Sequence, residues 1–119
     1  MTRRMDRINA LIRQEISLIL SREVTDRRLA TVVSITRVET TADLKNARVF
    51  VSVLGDKNEK RRSIKALRSA TGFIHRQLKT NLTLRAIPHL LFKLDESIER
   101  EAELFALIAK TDEDTGSRQ

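Results

Sequence analysis

Several residue types that support particular chemistries are absent or scarce in this chain of 119 residues. It contains no cysteine, no tryptophan and no tyrosine, and only three glycines and one proline. Without cysteine there is no disulfide framework, no thiolate nucleophile and no thiolate metal site. Phosphate-binding loops and dinucleotide fingerprints need several glycines close together, and here the glycines lie far apart. These absences exclude disulfide-stabilised domains and the common nucleotide-binding motifs.

Residues that could catalyse a reaction are also scarce. His75 and His89 are the only histidines, and no serine lies in a glycine-flanked elbow motif that would expose it as a nucleophile. Histidine and carboxylate residues do not occur at the compact spacing of a metal site. We therefore expect no enzymatic activity, no metal and no cofactor.

Long hydrophobic runs are missing as well. The first residues are followed by amphipathic sequence, so neither a signal-peptide core nor a membrane span is predicted. A chain of this length with 40% hydrophobic residues can fill one interior without disulfides or metal. We expect a monomeric, cytoplasmic protein whose single domain covers residues 1–110, followed by a flexible acidic tail at 111–119.

Positive charge is abundant and unevenly distributed. Lysine and arginine number 23 against 16 acidic residues, which gives a net charge of +7. Residues 57–85 hold nine basic groups and one acidic group, whereas residues 86–119 hold four basic and eight acidic groups. Such a dipolar molecule is suited to polyanions, so nucleic acid is the leading partner class. The alternative is a basic helix face that is simply solvated.

Hydrophobic periodicity predicts the first half of the fold. Apolar residues between Met5 and Leu20 recur at spacings of three and four, which is typical of an amphipathic helix. Apolar and polar residues alternate imperfectly over residues 32–40 and strictly over residues 47–53. Both segments are therefore predicted to be strands, and together they predict a hairpin. Asp56 and Glu59 then resemble the capping box that begins a helix.

The second half predicts two further helices around a break, a strand and a last helix. A helical stripe continues from residue 57 to about residue 82, with a break at Gly72. A third strand follows the single proline over residues 90–94. Ser97 can cap a short last helix that ends near Ile108. Phe92 and Phe105 read as core residues, and Phe50 is expected beneath the last helix. This order indicates an α+β fold with the helices on one face of a three-stranded sheet.

A basic stripe is the main candidate binding surface. Six basic residues of the segment 57–82 fall on one side of the predicted helices, about 120° from the apolar stripe at 100° per residue. They are Lys57, Arg61, Lys65, Arg68, Arg76 and Lys79, to which we add Arg85 and a second cluster of Arg3, Arg4 and Arg7. Such side chains mainly contact phosphates, which supplies salt-dependent affinity without reading sequence.

Base stacking is not expected to be the main mode of recognition. The only aromatic residues are four phenylalanines, whereas RNA-recognition sheets present several aromatic platforms. Shape recognition of a folded RNA is therefore favoured. Two alternatives use the same surface: a generic basic RNA-binding module, or a module that docks on an anionic membrane or an acidic protein. The membrane alternative lacks interfacial aromatic residues, so we expect no membrane partner.

Several segments carry a resemblance to a known family. They are Arg4–Ile8, Val38–Ser52 and Leu84–Asp95, together with the triplet Ala70-Thr71-Gly72. In this order they resemble the bacterial ribosome-binding factor A family, and the triplet matches that family's interhelical Ala-x-Gly kink. One departure is Arg27, which stands where the family usually has proline.

This resemblance implies both a fold and a role. The fold would be a KH-like domain of type II, in the order αββααβ, with a kinked helix pair at Ala70-Thr71-Gly72 and a short C-terminal helix. The GXXG loop of ordinary KH domains is absent from the sequence. The implied role is binding to the free small (30S) ribosomal subunit or its precursor, and not to the mature 70S ribosome. Binding would support late maturation and processing of 16S rRNA, including in the cold.

Overall fold

The structure is a computed structural model that describes residues 3–22 and 32–117, so Arg27 lies outside the described residues. The elements are α1 (Arg3–Arg22), β1 (Val32–Thr40), β2 (Asn46–Leu54), α2 (Lys57–Ser69), α3 (Thr71–Asn81), β3 (His89–Leu94) and α4 (Ser97–Ser117). The predicted order of helices and strands is confirmed. Among the described helices, none combines the length and the hydropathy that a bilayer crossing requires.

The three strands form one sheet in the order β1-β2-β3. β1 and β2 are antiparallel, whereas β2 and β3 are parallel. Alternate residues of β2 are buried, because α1 packs beneath β1 and α2 packs beneath β3 on the same face of the sheet. The core holds Ile12, Ile16, Val49, Val51, Leu67, Ile74, Leu78 and Phe92. The α+β prediction and the core position of Phe92 are confirmed.

A β-bulge in β1 explains the imperfect alternation of that strand. Ile35 pairs with Val51 and Arg37 pairs with Phe50, which leaves Thr36 as the extra residue. The bulge turns Arg37 onto the open face of the sheet, where its guanidinium carbon lies 3.9 Å from the centre of the Phe50 ring. Phe50 is therefore covered by an arginine, and the expectation that the last helix covers it is wrong.

The start of α2 is fixed by the predicted capping box. The backbone N–H of Glu59 donates to Oδ1 of Asp56 at 2.8 Å, and the backbone N–H of Asp56 donates to Oε1 of Glu59 at 3.4 Å. Two amide groups that have no partner within the helix are satisfied in this way. A local sequence signal thus determines where the basic helix begins.

The break between α2 and α3 lies at Ala70. This residue has φ −88° and ψ 0°, and the helix resumes at Thr71, whose hydroxyl donates to the carbonyl oxygen of Leu67 at 3.1 Å. Gly72 lies within α3, and Gly55 is the one glycine with a positive φ among the described residues. The kink predicted at Ala70-Thr71-Gly72 is present, but the break is two residues earlier than the predicted break at Gly72.

The last helix differs most from the prediction. α4 has 21 residues and continues past Ile108 to Ser117. Phe105 is 67% exposed, so its predicted place in the core is wrong. The reason is that α4 does not pack on the core, since all its residues from Arg100 to Thr111 are exposed. The molecule is 64 Å long in one dimension and 18 Å in another. The flexibility of residues 111–119 stays a prediction.

Candidate nucleic-acid interface

A groove between α2 and β3 gathers three of the predicted basic residues. Its volume is about 360 Å³, and its lining is Arg61, Ile64, Lys65, Arg68 and Leu94. Arg61, Lys65 and Arg68 share one face of α2 because they are spaced by four and three residues. Ile64, which is buried, and Leu94 of β3 form the apolar floor. The groove therefore has cationic walls around an apolar base.

One of these side chains is held against the sheet edge. Nη2 of Arg68 donates a hydrogen bond of 3.4 Å to the carbonyl oxygen of Phe92, in the middle of β3. This contact orients the guanidinium along the groove and leaves its other N–H groups available to a ligand. Among the described residues, Arg61, Lys65 and Arg68 form no ion pair. Their charges are therefore free to attract phosphate groups.

A second hollow adjoins the groove at the start of α2. Its volume is about 440 Å³, and it is lined by Asp56, Asn58, Arg61, Arg62 and Lys65. Arg62 is not among the residues predicted from the sequence, because it lies off the predicted stripe. The signal that could have indicated it is the consecutive pair Arg61-Arg62, since both residues line the hollow. Arg61 and Lys65 line both depressions, so the two form one continuous cationic surface.

The other predicted residues of the basic stripe are exposed but do not line this groove. Lys57 is the first residue of α2, and Arg76 and Lys79 belong to α3 beyond the break. Nη1 of Arg76 lies 3.5 Å from the position that a Cβ on Gly72 would occupy, so its side chain runs back towards the break. Arg85 is exposed in the connection between α3 and β3. Their contact with phosphates stays a prediction.

The second predicted cluster is separate from the groove. Arg3, Arg4 and Arg7 are exposed on the first two turns of α1, which packs beneath β1, whereas the groove lies along β3 at the opposite edge of the sheet. The backbone N–H of Thr40 donates to Oδ1 of Asn9 at 3.1 Å, which places this end of α1 beside the end of β1. The structure therefore presents two cationic surfaces rather than one.

One lysine of α2 is withdrawn from the basic surface. Nζ of Lys60 donates to Oε1 of Glu99 in α4 at 3.3 Å, and the Lys60 side chain is only 17% exposed. The pKa of Glu99 is lowered by its own backbone amide and by Lys60. This ion pair ties the first turn of α4 to α2.

The two histidines have structural contacts. The rings of His75 and His89 stack with their centroids 6.3 Å apart, and Nε2 of His75 lies 3.2 Å from the carbonyl oxygen of Ile87. The part of the chain that the structure describes contains no group of three or more metal-ligating side chains.

Comparison with known proteins extends the resemblance over most of the chain. The family model for ribosome-binding factor A matches residues 4–108. Ribosome-binding factor A of Acetivibrio thermocellus is 45% identical over 108 residues, which cover 91% of this chain and 88% of that protein. Ribosome-binding factor A of Dictyoglomus thermophilum is 43% identical, with coverage of 84% and 83% respectively.

Solved structures agree with this result. The crystal structure of ribosome-binding factor A from Thermus thermophilus has a TM-score of 0.68 and 18% sequence identity, and the match covers 76% of this chain and 93% of that chain. A homology model of the Thermus thermophilus protein, fitted into a cryo-EM map of its complex with the 30S subunit, has a TM-score of 0.62 and 18% identity, with coverage of 74% and 91%. The KH-like fold is confirmed. On this evidence, the chain belongs to the ribosome-binding factor A family.

Proposed function

We propose that this chain binds the 30S ribosomal subunit, or its precursor, through the groove between α2 and β3. The observation that carries the proposal is the cluster of Arg61, Lys65 and Arg68, three cations without an ion-pair partner among the described residues, around an apolar floor. Membership of the family supports it, as does the Thermus thermophilus relative fitted into a map of a 30S complex. The ligand of the groove would be the phosphate backbone of 16S rRNA.

The groove suits a folded RNA because its cations are held on a regular helix. Arginine presents several N–H donors in a planar fork, which matches two oxygens of one phosphate. Arg68 is already oriented by its bond to the Phe92 carbonyl, so less side-chain freedom is lost on binding. Ile64 and Leu94 offer an apolar floor to ribose carbons between the phosphates. Such contacts favour a particular backbone shape rather than a sequence.

The proposed role is conformational and not catalytic. A factor that binds one arrangement of the 30S precursor more tightly than others shifts the population towards that arrangement. Enzymes that process 16S rRNA would then act on the favoured form. On this proposal the protein is a cytoplasmic monomer that acts on free subunits during late maturation, including in the cold, and does not stay on the mature 70S ribosome.

A pair of matched variants tests the groove. Arg61→Glu with Lys65→Glu changes the charge by −4 within the groove, and Arg13→Glu with Arg22→Glu makes the same change at exposed positions of α1. All four positions are exposed, so we expect stability to change little. Binding to purified 30S subunits should weaken strongly in the groove variant. The slope of log affinity against log salt concentration should also become less steep, by an amount that corresponds to the loss of about one to two phosphate contacts.

The control variant should bind nearly as well as the original protein. If both variants lose affinity equally, the protein responds to its total charge and is a generic polyanion binder. If a folded groove variant binds like the original protein, the groove is not the interface.

A further inference from the structure

α4 carries a large apolar surface that the fold does not use. Ile98, Leu104, Phe105 and Ile108, which we call the α4 apolar face, are 65%, 56%, 67% and 49% exposed, respectively. At 100° per residue these four side chains fall within an arc of about 120°, which the alanines between them widen to about 200° and which also contains Glu101. Several large apolar side chains exposed on one side of a helix are typical of an interaction site.

The core does not require this face. All residues from Arg100 to Thr111 are exposed, while the core beneath the sheet is complete with residues of α1, α2 and α3. The first turn of α4 is held to the domain by the Lys60–Glu99 ion pair and by the hydrogen bond from the backbone N–H of Ser97 to Oδ1 of Asp95. The helix is therefore fixed at one end and presents its apolar face outside the domain.

Charge determines what kind of partner fits. Between Glu99 and Asp114 the sequence has six acidic residues and two basic ones, a net charge of −4. Phosphate groups would be repelled, so this helix cannot lie along rRNA as α2 can. A second copy of α4 would place acidic residues beside acidic residues, with only Arg100 and Lys110 to compensate. A protein surface that combines apolar and positively charged residues would complement both the apolar face and the acidic residues of α4.

We propose that the α4 apolar face docks in an apolar groove rimmed by lysine and arginine on a basic protein of the 30S particle. This inference rests on the proposed function, because it assumes that the particle is the binding target. Two helices then divide the contacts: α2 binds rRNA phosphates, and α4 binds a protein. At 1.5 Å per residue, α4 reaches about 30 Å from its attachment point, far enough to contact a component that does not touch the groove. An amphipathic helix in an apolar groove is a common mode of protein recognition.

Site-specific photocrosslinking tests the identity of the partner. Phe105 is replaced by p-benzoylphenylalanine in the full chain, which is bound to purified 30S subunits and irradiated, and the products are identified by mass spectrometry. A matched probe at Glu103 points to the opposite, polar side of α4. We expect the probe at position 105 to crosslink to a subunit protein at a lysine- and arginine-rich segment, and the probe at position 103 to crosslink much less.

Affinity measurements provide an independent readout. Ile108→Ala removes part of the apolar face, whereas Leu107→Ala makes a comparable truncation on the polar side of the same helix turn, where Leu107 is also exposed. Because both side chains are exposed, neither change should alter thermal unfolding of the free protein. We expect Ile108→Ala to weaken 30S binding about tenfold at both low and high salt, since apolar docking is not screened, and Leu107→Ala to have little effect.

The outcomes separate this inference from the proposed function. Crosslinks from position 105 to rRNA or to a second copy of the chain would overturn the protein-docking inference, while 30S binding itself still holds. So would equal effects of Ile108→Ala and Leu107→Ala on binding. If the original protein does not bind 30S subunits at all, the proposed function fails, and the inference fails with it.

Discussion

The hydroxyl of Thr36 donates a hydrogen bond of 2.7 Å to Oδ2 of Asp95, which joins the bulge in β1 to the turn before α4. Oδ1 of the same carboxylate accepts the backbone N–H of Ser97 at 3.0 Å, and Nη1 of Arg37 lies 3.9 Å from Oδ2. Hydrogen bonds from the Ser97 side chain, from Thr36 and from the Ser97 backbone lower the pKa of Asp95 to about 2. The bulge therefore fixes the point from which α4 leaves the domain.

This network predicts a dependence of stability on pH. Because the pKa of Asp95 falls from 3.8 in the unfolded chain to about 2 in the fold, the carboxylate stabilises the fold fully above pH 4. The stabilisation is lost as pH falls from about 4 through about 2. We expect Asp95→Asn to cost about 1 to 2 kcal/mol at pH 7 and much less at pH 2. Urea unfolding of both proteins across this range is the measurement, and a difference that does not change with pH would contradict the account.

Thr36→Val tests the bulge contact itself. Valine keeps the branched shape of threonine but cannot donate to Asp95, so the buried end of the carboxylate loses one partner. We expect a loss of about 1 kcal/mol in the free energy of unfolding at pH 7 and a rise in the pKa of Asp95. NMR titration of the Asp95 carboxyl carbon checks the second effect. An unshifted pKa in Thr36→Val would mean that the hydroxyl is not its partner in solution.

Two glycines should respond in opposite directions to alanine. Gly72 lies inside α3, and a Cβ there would meet only Nη1 of Arg76 at 3.5 Å, an ordinary contact. Gly72→Ala should therefore raise the free energy of unfolding by about 0.5 to 1 kcal/mol. At Gly55 a Cβ would lie 2.8 Å from Cδ and Oε2 of Glu59, the carboxylate that closes the capping box. Gly55→Ala should lower stability by about 1 kcal/mol or more.

Thermal unfolding of the two glycine variants, compared with the original protein, measures both signs. A destabilising Gly72→Ala would show that the break extends to Gly72, as the sequence predicts, and would contradict the position of the break at Ala70.

The cluster on α1 gives a further prediction. Arg4→Glu with Arg7→Glu should weaken binding to 30S subunits if the end of α1 also contacts phosphates. Because the cluster and the groove lie at opposite edges of the sheet, its effect should add to that of Arg61→Glu with Lys65→Glu in free-energy terms. Dissociation constants for the two double variants and the quadruple variant check additivity. Unchanged binding by the α1 variant would show that Arg4 and Arg7 do not contribute to the interface.

Local signals in the sequence predicted the parts of the fold that depend on neighbouring residues. The capping box at Asp56 and Glu59 marks the start of α2, and the strict alternation in residues 47–53 marks β2 and its buried face. Both are consequences of backbone geometry over a few residues. The position of Arg61, Lys65 and Arg68 on one face of α2 followed for the same reason.

Features that depend on distant segments could not be read from the sequence. The bulge at Thr36 exists because β1 and β2 pair in a particular register, and it places Arg37 on Phe50. The groove needs Leu94 of β3 beside α2, a contact between residues far apart in the chain. The apolar stripe through Phe105 predicted a core position, which is wrong, because periodicity does not say whether an apolar face packs against the same chain.

The most direct test of the account is sedimentation of the purified protein with isolated 30S subunits, isolated large subunits and joined 70S ribosomes over a salt series. We expect the protein to sediment with free 30S subunits and not with the other two particles, and its binding to weaken steeply as salt rises, because phosphate contacts release counterions. Equal binding to all three particles would contradict a specific role on the small subunit. Absence of binding to 30S subunits would contradict the central claim.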